Sequence, residues 1–203
     1  NFAVDDHGDL RIIGNQSPRY RYGVNLSARW NGIGLSVFLQ GVGARDWHPG
    51  SDAGMFWGKY GRPFFALIPS IHNYTDDMYS AERNNWDTAY WPRMTTYQSN
   101  GTKNWTRLLE IPNTRYIQSA AYLRVKNIQL DYSFPKHICS AIRLQGLKIY
   151  VNAENLFTFT PLHKYAPNFD PEGLSYDSDF ASAADGYTYP ILKSVTVGVN
   201  ITF

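Results

Sequence analysis

The chain has 203 residues, a formal net charge of +2 and a sequence pI of about 8.6. That is enough for one sizeable domain or two small ones, and its scattered basic residues form no stripe of the kind nucleic acid needs. Mean hydropathy is −0.39 and no run approaches the ~20 apolar residues of a spanning helix, which excludes a transmembrane helix but not a β-barrel, whose polar lumen positions dilute hydropathy. Cys139 is the one cysteine, so neither an internal disulfide nor a cysteine metal cage can form. Aromatic residues make up 16% of the chain, which fits membrane-interface girdles and sugar-stacking surfaces alike.

Near the start, Asp5-Asp6-His7-Gly8-Asp9 has the oxygen-rich look of a calcium loop, with Asp5 and Asp9 as candidate ligands. A full loop needs more ligands and a terminal bidentate carboxylate, and Leu10 and Arg11 stand where they would come. A solvated turn is the simpler reading.

Residues 18–30 are a predicted strand. Tyr20, Tyr22, Val24, Leu26, Ala28 and Trp30 share one face, and Arg21, Gly23, Asn25, Ser27 and Arg29 the other, the period of two that β-strands impose. Asn31-Gly32 follows, a strong hairpin signal because both residues accept positive φ. The returning strand, 33–43, sets Ile33, Leu35, Val37 and Leu39 against Gly34, Ser36, Phe38 and Gln40. From 44 to 120 there is no clean periodicity, and five of the six tryptophans lie there. So long a connection is usually functional.

A third strand is predicted at 121–134, with one irregularity. Arg124 and Lys126 share parity with Ile128, Leu130, Tyr132 and Phe134, so the meaning of the face switches near Asn127. Either a bulge sits there or the first half is wet on both faces. Pro135 stops this strand and 136–145 form a turn. Leu147, Ile149, Val151 and Ala153 then give the apolar face of a strand at 146–157. A second long loop, 160–190, precedes the last strand, 194–203. There Val195, Val197, Val199, Ile201 and Phe203 alternate with Ser194, Thr196, Gly198, Asn200 and Thr202.

A half-buried strand of a soluble sandwich alternates in the same way, so a secreted carbohydrate-binding β-sandwich is the alternative to a membrane barrel. The connections separate the two. Short turns alternate with long loops, and if the last strand ends on the periplasmic side every short turn falls there, the asymmetry of outer-membrane barrels.

Ser17-Pro18-Arg19-Tyr20-Arg21-Tyr22-Gly23 and the following Gln40-Gly41-Val42-Gly43 resemble a stretch of the SusC/RagA-like TonB-dependent transporters of Bacteroidetes. So do Tyr122 to Tyr132, Leu147 to Phe157 with its Asn155-Leu156-Phe157, the Asp170-Pro171-Glu172 triplet, Tyr189-Pro190 and the closing Gly198 to Phe203. The resemblance implies an all-β fold in which these are the C-terminal strands of a transmembrane barrel of about 22 strands, with 44–120 and 160–190 as extracellular loops and the plug domain absent from this chain. Five strands leave two open edges, so the remainder of the barrel and the plug are expected partners. The resemblance further implies the bacterial outer membrane, its lipid, a SusD-like lipoprotein lid, a TonB complex acting through the plug, and import of glycans or peptides.

Trp47, Trp57, Trp86, Tyr90 and Trp91 are the candidate substrate or lid contacts, because exposed aromatics stack on sugars and anchor partners; the alternative is that they pack the loop's own core. Phe203, the terminal aromatic, is a candidate interfacial anchor or barrel-assembly signal. Arg29, Gln40, Asn152 and Asn200 are expected to line the lumen. The five histidines form no ligand pair, so zinc is unsupported. No nucleophile motif appears, and Asp170 and Glu172 are read as structural rather than as a glycosidase pair, so no enzymatic activity is expected. Calcium at Asp5 and Asp9 is the one cofactor this sequence suggests.

Overall fold

The computed structural model describes residues 11–48, 79–91, 113–167, 169–174 and 191–203. The chain divides into two compact units. One, the sheet unit, comprises Arg19–Gly43, Ala121–Thr160 and Pro190–Phe203; the other, the loop unit, comprises Asn1–Pro18, Ala44–Ala120 and Pro161–Tyr189.

The sheet unit holds β1 (Arg19–Trp30), β2 (Ile33–Ala44), β5 (Tyr122–Ser133), β6 (Gly146–Phe159) and β7 (Ser194–Thr202), in the order β1-β2-β5-β6-β7. Asn31 and Gly32 turn β1 into β2 with φ of 47° and 86°, the doubly positive geometry whose twist matches the flanking strands. The stretch expected to be only a turn after Pro135 contains a short helix, α1 (Lys136–Ala141). Pro135 lacks an N–H and is held at φ −60°, which suits the position just before a helix. Cys139 is buried on it, and the Gln145 N–H then donates to the Thr202 carbonyl at 2.9 Å, tying the turn to β7.

Strand register sorts the side chains into two faces. Ile33, Tyr132, Ile149 and Val199 form one cross-strand row; Leu35, Leu130, Val151 and Val197 the next; Val37, Ile128, Ala153 and Val195 a third. Most of these are exposed, Val197 by 72%. A contiguous apolar sheet face of this kind is not what a soluble monomer shows to water. Its ends are aromatic. Tyr20, Tyr22, Phe157 and Phe159 stand at one end, and Trp30, Tyr132 and the terminal Phe203 at the other. Tyr20 and Trp30 are ten residues apart on β1, about 33 Å of strand, and a tilt of about 40° reduces that to roughly 25 Å, the apolar height of outer-membrane barrels.

The irregularity near Asn127 is a bulge. Phe38 pairs with Asn127 and Leu39 with Val125, so Lys126 is the inserted residue. On the other side Asn127 pairs with Glu154 and Val125 with Phe157, and Asn155 takes φ 53° to absorb the shift. Beyond the bulge Val125 joins the apolar face and Arg124 turns to the polar one, where its Nε donates to the Thr158 hydroxyl at 2.9 Å.

The loop unit contains the two-residue ribbon β3 (Asp46–Trp47) and β4 (Gln118–Ser119), antiparallel. Its core is Trp47, Trp91, Tyr116, Ala120, Leu162, Ala166, Phe169 and Leu174, with Tyr90 and Tyr165 packed against it. No helix among the described residues is long and apolar enough to cross a membrane.

Candidate functional site

The loop unit carries most of the aromatic candidates, and its frame is set by Arg45. This buried side chain donates to three carbonyls: Gln16 at 3.2 Å, Pro171 at 3.1 Å and Leu174 at 2.8 Å. One planar guanidinium thereby ties Arg45 to two distant segments, at Gln16 and at 171–174, a task that suits arginine's fixed fork of donors. The Asp170 carboxylate accepts from the Glu172 N–H at 2.9 Å.

Trp47 and Trp91 are core residues. Trp47 lies 5.0 Å from the Phe169 ring. Trp91, 1% exposed, donates its Nε1–H to the Tyr165 carbonyl at 3.1 Å and stacks with Tyr116. Tyr90 is stacked on Tyr165 at 3.6 Å, and Lys164 Nζ sits 4.8 Å from the Tyr165 ring centre. Burial, then the nearby Tyr165 and Tyr116, push the Tyr90 hydroxyl up to about 12. These rings pack against one another in the loop unit.

Trp86 differs. It is 71% exposed on a turn that Asn85 organises: its Oδ1 accepts from the Ser80 N–H at 2.8 Å, and its carbonyl accepts from the Ala89 N–H at 2.8 Å. Arg115 secures the base of the turn by donating to the Ala89 carbonyl at 2.9 Å. The fold thus presents an open indole from a braced turn. Trp57, Asp5 and Asp9 lie outside the described residues. Among the described residues no group of three His, Cys, Asp or Glu could hold a metal. His48 is buried with neither ring nitrogen hydrogen-bonded, and desolvation pushes it down to about 4.

On the polar face of the sheet unit the sequence reading missed one cluster. Asp131, its side chain 7% exposed, is paired with Arg29 and Lys148, each at 3.1 Å. Gly34, opposite Asp131 on β2, leaves room for the carboxylate: a Cβ there would lie 2.9 Å from its Cγ. The opposed charges were visible in the sequence, but only the strand register brings them together. Asn152 shares this face, opposite Gln129 and Thr196, and Phe203 closes the chain in an exposed position.

No family model matches. "TonB-dependent receptor P3" of Formosa agariphila is 25% identical over 96% of this chain, and "TonB-dependent receptor P39" of the same organism is 23% identical over all of it. The chain is similar in sequence to TonB-dependent receptors. It spans 17% and 18% of the length of these two receptors. The solved RagAB peptide transporter superposes on 96% of this chain with a TM-score of 0.60 at 18% identity, and RagAB in its open-open state gives 0.56. The fold is accordingly a segment of transmembrane β-barrel wall, with the barrel unclosed within this chain. The TonB-dependent receptors it resembles are transporters, not enzymes.

Proposed function

We propose that this chain is the C-terminal wall of a TonB-dependent outer-membrane transporter. In this reading the complete protein imports oligosaccharides or peptides too large for diffusion pores, with a SusD-like surface lipoprotein as its lid. The exposed apolar face with aromatic residues at both ends carries the reading, because lipid is the solvent such a face fits. The polar face, with Arg29, Asp131, Lys148 and Asn152, then faces the lumen and plug. Trp86 is the contact for substrate or lid, and Phe203 the residue that marks the barrel for assembly.

The test is uptake by cells lacking and regaining the full-length gene, with labelled peptides and oligosaccharides supplied separately and with TonB intact or deleted. One substrate class should enter only when both gene and TonB are present. Trp86→Ala should lower uptake or lid capture several-fold while the outer-membrane level stays unchanged. Recovery of the protein as a soluble monomer without detergent would refute the reading in favour of a secreted binding module.

A further inference from the structure

The terminal strand poses a register problem. Along β7 the apolar positions Val195, Val197, Val199 and Ile201 are nearly interchangeable, and the other positions are all small or polar. A slip of one residue would exchange the faces and is forbidden by burial. A slip of two leaves every apolar residue on the apolar face, so the alternation cannot reject it.

One position breaks this degeneracy. Gly198 pairs with Tyr150 of β6, and the tyrosine ring lies over it. A Cβ built on Gly198 would overlap the Tyr150 Cζ and Oη and stand 2.6 Å from Cε1. After a slip of two, Thr196 or Asn200 would meet that ring and one of the two side chains would have to move.

We infer that Tyr150 and Gly198 form a register lock that selects one pairing of β7 on β6. The lock acts during assembly, when β7 settles on β6.

The experiment uses the full-length protein in cells. Gly198→Ala should lower the amount of folded, heat-modifiable barrel several-fold, and adding Tyr150→Ala should restore it. A normal level for Gly198→Ala alone, or no recovery in the double variant, overturns the proposal. A second arm moves the notch, combining Thr196→Gly with Gly198→Thr. Cysteines replacing Glu154 and Ser194, which face each other in the ladder, should then lose their oxidative cross-link, and cysteines replacing Asn152 and Ser194 should gain one. An unchanged link between positions 154 and 194 overturns the proposal. This arm needs only the paired sheet, so its failure is distinct from failure of the transporter reading.

Discussion

The two units bury opposite kinds of residue. In the loop unit tryptophan, tyrosine and leucine are inside and the charged turn around Trp86 is outside. In the sheet unit valine, leucine and isoleucine are outside, while Asp131 and Arg124 are buried and paired. One short chain therefore carries two opposite burial patterns. Water drives aromatic burial in one unit; the other has an apolar surface of the kind a hydrocarbon layer favours and a polar face with cross-strand pairs.

The largest expected effect comes from violating the sheet's side of this contrast. Val199→Arg should destabilise the assembled barrel by about 2–4 kcal/mol if it sits near the bilayer midplane, whereas the adjacent Asn200→Arg should cost much less. Denaturant titration in lipid vesicles measures both, and equal costs would mean that the faces or their environment are misread. Next comes the frame of the loop unit. Arg45→Met should cost about 1–3 kcal/mol of local stability through the carbonyls it leaves unpaired. Hydrogen exchange should show the loss in 11–18 and 169–174 and leave β5 to β7 unaffected; uniform loss across both units would contradict this local role of Arg45.

The smallest effect is a pH dependence confined to the loop unit. His48 titrates near 4 when folded and near 6.5 when unfolded. Above 6.5 both states are neutral at this site and it exerts no effect. Between 6.5 and 4 the unfolded chain takes up a proton that the folded chain refuses, so stability falls as pH falls through that window. His48→Leu should flatten the slope in limited proteolysis between pH 7 and 5. An unaltered slope would remove His48 as its source.

The sheet was legible because its signal is local. Alternation over ten residues names a strand and its faces, and Asn31-Gly32 names the turn between two of them. The parity conflict at Arg124 and Lys126 even marked the place of the bulge. The loop unit was not legible, since its core draws Trp47, Trp91, Tyr116, Leu162 and Phe169 from separate stretches that share no period. Whether a given tryptophan faces a ligand or a leucine depends on those distant meetings. For the same reason Trp86 could not be told from Trp91, five residues away, although the fold treats them oppositely. Helix α1 was hidden by its brevity, six residues that carry too little periodicity to register.

The inserted Lys126 works as a correction of reading frame. Upstream of it, even-numbered residues of β5 point to the polar side; downstream they point to the apolar side. A strand can therefore carry Arg124 and Ile128 in one parity and still deliver each to its proper medium. Such a frame shift uncouples the outer third of the strand from the rest. A later insertion or deletion at this level could be absorbed by gaining or losing a bulge, whereas the same change beside Leu130 would put every following side chain into the wrong solvent.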